Sequence, residues 1–199
     1  MRRENTIFKI KGYLPRAVVR AAVEILKNYD GNIADIGCGT GELLKGLGKD
    51  KKRNIVGLDI ALDQATKARQ SGLTVVMGDA LFTPFKDKVF DAVACLNTIY
   101  NFHSLDELRP AFKEVARILT KNGRVVLDIR NKKNLFLQFK YWLHMRKHKF
   151  PTVTYLPEEL EKAMKSFGLR LVRKDAIGMK NPLLSWGYIM VFEKGVALK

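Results

Sequence analysis

The sequence predicts an α/β fold, a Rossmann-like doubly wound sheet, mostly parallel, with helices on both faces. Two observations predict it. Short apolar runs alternate with helically spaced segments from about residue 14 to the end of the chain, and glycines and acidic residues recur just beyond those runs, where parallel sheets bind ligands. At 199 residues, with no internal repeat and no Pro/Gly/Ser linker, the chain reads as one domain, 1–199.

The elements follow in order. Leu14–Tyr29 has Val18, Val19, Ala22, Val23 and Leu26 on one side and reads as a helix opened by Pro15. Apolar strands are expected at Asn32–Ile36, Asn54–Leu58, Leu73–Met77, Val89–Leu96 and Val125–Ile129. Helical spacing covers Leu62–Gln70, Leu105–Leu119 and Pro157–Phe167. Gly72 and Gly168 sit where two of these helices should end, and Asn122-Gly123 reads as a helix stop and turn.

Composition bounds the function. Hydrophobic residues make up 47% of the chain and charged residues 28%, as in a folded protein. No apolar stretch is long enough to span a bilayer, and the first residues, Met1-Arg2-Arg3-Glu4-Asn5, do not read as a signal peptide. Cys38 lies in a glycine loop and Cys95 in an apolar run, which speaks against a disulfide and for a reducing, cytoplasmic setting. The 36 Lys and Arg exceed the 20 Asp and Glu, leaving a net charge of +16. That excess suits an anionic partner: RNA, an anionic membrane surface or a phosphorylated small molecule. A solvated lysine-rich surface explains it equally simply.

The chemistry should lie in the loops after the strands. Ala34-Asp35-Ile36-Gly37-Cys38-Gly39-Thr40-Gly41-Glu42 lets a ligand lie against bare main chain. Glu42 stands where a dinucleotide loop wants its third glycine, and no Gly-Lys-Ser/Thr ending marks a phosphate loop. The acidic Asp35 suits a cationic ligand, such as an ammonium beside a sulfonium, better than a pyrophosphate. Asp59, closing the second strand, can accept both hydroxyls of a ribose, or cap the helix at Leu62–Gln70 in competition with Asp63. Asp79, after the third strand, can accept from an adenine amine or simply close a turn.

Asp35-x-Gly37-x-Gly39-x-Gly41, Asp59, Gly78-Asp79-Ala80, Pro84-Phe85-x-Asp87-x-x-Phe90-Asp91 and Lys121-Asn122-Gly123-Arg124 resemble the ordered motifs of class I S-adenosylmethionine-dependent methyltransferases. The branch they resemble includes quinone-biosynthesis C-methyltransferases and many small-molecule enzymes. The match runs from about Ile33 to Asp128. The resemblance implies a seven-stranded sheet whose last strand is antiparallel, here Leu184–Lys194 paired near Leu169–Lys174. It implies S-adenosyl-L-methionine as cofactor, with Asp35, Gly37, Cys38, Gly39, Thr40 and Gly41 around the methionine moiety. It further implies Asp59 and Ile60 at the ribose, Asp79 and Ala80 at the adenine, and Asn97 at the methyl end.

Methyl transfer from a sulfonium needs alignment and exclusion of water, and such positioning supplies roughly 7–11 kcal/mol. A base is needed only where the acceptor must lose a proton. His103, beyond the fourth strand, is the candidate, with ordering of the next helix beside Ser104 and Asp106 as its other role. Asn97-Thr98-Ile99-Tyr100 lacks the prolines of the amino-methylating Asn/Asp-Pro-Pro-aromatic motif, but Tyr100 can still shape an acceptor pocket. The segment Asn131–Phe150 carries six Lys or Arg, five aromatic residues and no acid. As a helix it groups Leu135, Phe136, Phe139, Trp142 and Leu143 on one face, with Lys140, His144 and Lys147 beside it. It is expected to be a lid over the active site, with Trp142 touching the acceptor. A membrane-surface helix, an RNA-contacting arm and a lid with solvated lysines are the other readings. His144 and His148 have no Glu or Cys beside them, so no metal is expected. The expected function is methyl transfer to a small, lipophilic or anionic acceptor. RNA methylation and S-adenosylmethionine binding without turnover are the alternatives.

Overall fold

A computed structural model of the chain describes residues 4–48, 52–147 and 152–195. Seven strands form one sheet in the order β3-β2-β1-β4-β5-β7-β6. They are β1 (Gly31–Ile36), β2 (Arg53–Asp59), β3 (Val75–Met77), β4 (Phe90–Cys95), β5 (Leu119–Arg130), β6 (Leu169–Gly178) and β7 (Ser185–Lys194). The first five run parallel, and β7 inserts antiparallel between β5 and β6. The expected doubly wound sheet and its antiparallel last strand are both present.

The helices divide between the two faces. On one face α1 (Glu4–Leu26) packs beside α2 (Glu42–Leu47), and Leu14, Val18, Ala22, Ile25 and Leu26 bury against Ile33, Ala94, Val126 and Ile189. On the other, α4 (Leu105–Ile118) sets Leu108, Ala111, Phe112, Val115 and Ile118 against the sheet, beside Leu160 and Met164 of α6 (Pro157–Lys165). Each fully buried Leu or Ile on these stripes contributes roughly 1.5–3 kcal/mol. The short α3 (Leu62–Gln70) covers the β2–β3 edge through Ala65 and Ala68. Gly72 and Gly168 end α3 and α6 with φ of +75° and +74°, as expected.

Several boundaries differ from the sequence reading. Helix α1 runs through Pro15 rather than starting there, and stops at Leu26 instead of Tyr29. Proline forfeits one backbone donor, and a helix anchored by its buried stripe tolerates that loss. Strand β3 begins at Val75, not Leu73. Asn122-Gly123 is no helix stop: α4 already ends at Ile118, and β5 runs on from Leu119. Pairing jumps from Phe90↔Leu119 to Ala92↔Arg124, so the dipeptide forms a bulge, with Asn122 at φ 67°. The Lys194 ammonium donates to the carbonyls of Ala116 and Leu119 at 2.6 and 2.8 Å, closing the end of α4.

Within the described residues no helix is long and apolar enough to cross a membrane. Cys38 and Cys95 are buried free thiols, each pushed up to about 12 by burial and then by nearby carboxylates.

Candidate functional site

The carboxyl ends of β1, β2, β4 and β5 open on one edge of the sheet. Asp35 lies buried at the end of β1, and the glycine loop turns directly after it. Gly37 takes φ 78°, and a side chain there would overlap the Thr98 hydroxyl, so the loop lies flat against the β4 end. Gly39, at φ 53°, faces open space, which leaves its backbone bare. Gly41 opens α2 as its N-cap.

Asp59 ends β2, with one carboxylate oxygen accepting from the Gly39 N–H at 2.6 Å and the other from the Ala61 N–H at 2.9 Å. The cap position of α3 is Ala61, so Asp59 instead ties the β2 end to the glycine loop. Each oxygen keeps a lone pair for a further donor. Burial, and then the charge of Asp59, raises Asp35 from its ordinary 3.8 to about 7. Two carboxylates in mutual repulsion beside a bare glycine backbone fit a ligand with a cationic end.

Asp35, Gly37, Cys38, Gly39, Thr40 and Asn97 line one cavity of about 820 Å³. Arg16 and Arg20 of α1 line the same cavity, a contribution that no sequence motif marks. Ile60 and Met77 stand exposed at the ends of β2 and β3, where Asp59 and Met77 are register partners. Asp79 accepts from the Leu81 N–H at 2.9 Å in a tight turn, and Ala80 packs against the core.

A second cavity, of about 170 Å³, is lined by Tyr100, Arg130, Lys140, Tyr141, His144 and Trp186, among others. Pro15 borders both cavities. Between them lies a buried cluster built on Asp128 and Arg130, two residues absent from the expected site. The Asp128 carboxylate accepts from the Asn97 N–H and from Arg130 Nη1, both at 2.6 Å, and Arg130 Nη2 donates to Asn97 Oδ1 at 2.7 Å. Asp128 is 0% and Arg130 2% exposed. The guanidinium also lies 4.3 Å from the centre of the Tyr100 ring. Burial pushes the Asp128 carboxyl up against the opposing pull of Arg130. It also pushes up the Tyr100 and Tyr141 phenols, which therefore stay protonated at neutral pH. The cluster holds Asn97 at φ 54°.

The signal for this pair was in the sequence. Asp128 and Arg130 are two apart on one face, at the end of the buried run that begins at Val125, where unpaired charges would not survive.

His103 is exposed at the head of α4. Its N–H donates to Glu107 at 2.9 Å while Ser104 caps the Glu107 N–H, so its backbone takes part in ordering the helix start. It lines neither cavity, whereas His144 lines the second. Helix α5 (Leu135–Lys147) is also turned differently from expectation. Tyr141 and His144 face the cavity, and Leu137 is fully buried. Trp142, expected on the acceptor side, stands with Phe139 on the outward face. The Lys147 side chain and His148 lie outside the described residues, and among those described no group of three or more His, Cys, Asp or Glu is placed to hold a metal.

A sequence profile of the methyltransferase domain matches residues 34–127, from the end of β1 into β5. Those residues carry a methyltransferase domain. In structure, the domain is similar to a SAM-dependent methyltransferase of Methanosarcina mazei, with a TM-score of 0.72 and 20% identity, covering 86% of this chain and 97% of that one. In sequence it is 36% identical over 97 residues to the "probable tRNA methyltransferase 9B" of Bos taurus, covering 49% of this chain and 21% of that protein. It is 31% identical over 115 residues to the demethylmenaquinone methyltransferase of Thermobifida fusca, covering 54% and 48%. The match thus spans about a fifth of the first relative and about half of the second. Both relatives are methyltransferases, but their acceptors differ in kind.

Proposed function

We propose that the domain transfers a methyl group from S-adenosylmethionine to a small planar acceptor held between Tyr100 and Tyr141. The observation that carries this reading is the adjacency of the two cavities, which share Pro15 and whose linings are joined by the Asn97–Arg130 hydrogen bond. One cavity has the charge pattern of an amino-acid end, with Asp35 for an ammonium and Arg16 and Arg20 for a carboxylate. Asp59 would accept from the ribose hydroxyls with its remaining lone pairs, Ile60 and Met77 would cover the sugar and base, and Asp79 with Ala80 would meet the adenine. When bound, the cofactor supplies an electrophilic methyl carbon on a good leaving group. The chain's own work is then alignment.

Tyr100, Tyr141 and Trp186 present ring faces and edges to a planar acceptor, and Lys140 adds a positive charge suited to an anionic or enolisable one. His144 is placed to take a proton where the acceptor loses one, and His103 then serves the fold of the α4 head. A cavity of about 170 Å³ fits a single ring better than a polymer. RNA methylation is the second reading. It is favoured by the net charge of +16 and by the printed name of the Bos taurus relative, with a splayed base as the planar acceptor.

Paired variants test the assignment. Asp59→Ala should weaken S-adenosylhomocysteine binding by roughly 1.5–3 kcal/mol, the range for a charged hydrogen bond. Tyr141→Ala should leave that binding intact and lower methyl transfer from labelled S-adenosylmethionine to a panel of phenols, quinols and RNA. Equal S-adenosylhomocysteine affinity in a folded Asp59→Ala protein would refute the cofactor assignment. Unimpaired transfer by Tyr141→Ala would refute the acceptor cavity.

A further inference from the structure

Helix α5 has two working faces, and only the inner one belongs to the site described above. The outer face exposes Leu135 (77%), Phe136 (60%), Phe139 (59%), Trp142 (48%) and Leu143 (40%) as one continuous ridge. Phe139 and Trp142 stack at 5.9 Å, and the Arg146 guanidinium lies 4.8 Å from the Trp142 ring centre. The ridge does not end with the helix. Asn131 Nδ2 donates to the Pro182 carbonyl at 2.8 Å and to Ser185, and Asn134 Nδ2 donates to the Leu184 carbonyl at 3.2 Å. Both asparagines are buried, so they pin the β6–β7 loop to the head of α5. That loop adds exposed Met179, Leu183 and Leu184 to the apolar surface. Exposed Lys133, Arg146 and Lys180 rim it, Lys132 is paired with Glu159, and neither 131–147 nor 179–184 contains an acid.

We propose that this ridge docks the domain on an anionic phospholipid surface, with the apolar side chains entering the acyl boundary and the cations meeting the headgroups. An amphipathic helix with Trp, Phe and Leu on one side and Lys and Arg around them binds such an interface through buried apolar area plus charge. The charge complementarity is one-sided, because the rim and the whole chain are basic. It disfavours a second copy of the chain, since a symmetric pairing would set Lys133, Arg146 and Lys180 against their own kind. Nor does the ridge favour a nucleic acid. Leu135, Leu143, Leu183 and Leu184 offer a nucleotide neither stacking nor hydrogen bonds, and a convex helix gives the phosphates no groove. Docking would hold α5 by its outer face while Tyr141 and His144 on its inner face line the acceptor cavity. The inference does not depend on the acceptor, and S-adenosylhomocysteine binding is measured separately to keep the two apart.

The test is co-flotation of the whole chain with vesicles of equimolar phosphatidylglycerol and phosphatidylcholine, against vesicles of phosphatidylcholine alone. The chain should float with the anionic vesicles, tryptophan emission should shift to the blue, and added salt should weaken binding without abolishing it. Phe136→Glu with Phe139→Glu changes only exposed side chains. It should reduce vesicle binding about tenfold or more, with the circular dichroism spectrum and S-adenosylhomocysteine affinity unchanged. Equal flotation with both vesicle types, or no loss in the double variant, overturns the proposal. So does RNA protecting Trp142 from quenching in the absence of lipid, or a dimer in sedimentation that the double variant dissolves.

Discussion

Removing the Asp128 carboxylate should be among the most damaging single changes in the site, and its size can be worked from the contacts. In Asp128→Ala the Arg130 guanidinium loses its counter-charge at 2.6 Å in a position 2% exposed to water, and the Asn97 N–H loses its acceptor. Breaking one side of a buried ion pair costs about 3–5 kcal/mol, because the remaining charge has neither water nor partner. Arg130 keeps Asn97 Oδ1 and the Tyr100 ring, which argues for the lower part of that range. For a chain of this size that corresponds to a fall in Tm of roughly 6–15 °C. Urea unfolding followed by circular dichroism measures it. The double variant Asp128→Leu with Arg130→Met should recover most of the stability, since apolar residues often replace a buried pair without loss. It should still lose methyl transfer, because Asn97 is no longer anchored between the two cavities. A stability loss below about 1 kcal/mol for Asp128→Ala, or a double variant less stable than the single one, would mean that Asp128 does not hold the buried guanidinium.

The Asp35 carboxyl titrates at about 7 in the folded protein against an ordinary 3.8. Its contribution to the stability of the ligand-free protein is therefore fully present below 3.8 and is lost as pH rises through about 7. A cationic ligand end prefers the ionised form, so S-adenosylmethionine binding should release a proton at about pH 6 and almost none at about pH 8. Titration calorimetry in buffers of different ionisation enthalpy reads that number, and proton uptake at the lower pH would contradict the placement of Asp35. Gly37→Ala forces a side chain into the Thr98 hydroxyl at φ 78°, and should destabilise the fold by about 1–3 kcal/mol. Wild-type stability in that variant would mean that the glycine loop does not lie against the β4 end.

Much of this architecture was legible from the chain. Period and punctuation located β1 to β4 to within two residues, because a strand buried on both faces leaves a continuous apolar run and glycines must follow where the backbone turns. The exceptions have physical causes. Asn122-Gly123 carries a left-handed residue as its sequence suggests, but pairing with β4 and β7 extends the strand on both sides, so the turn signal became a bulge. In α5 the spacing says which residues share a face and not which way that face points. Asn131 and Asn134, gripping a loop fifty residues away, fix the orientation, and no local pattern encodes that contact. Arg16 and Arg20 were hidden for the same reason, since only the docking of α1 across the sheet brings them to the glycine loop.

Methyl transfer should take place where the two cavities adjoin. A crystal structure of the chain with S-adenosylhomocysteine should show the ribose hydroxyls on Asp59, the amino-acid end between Asp35 and Arg16 or Arg20, and the sulfur beside Asn97 facing the Tyr100–Tyr141 cavity. A ligand whose sulfur faces away from that cavity, or whose ribose makes no contact with Asp59, would rule that placement out.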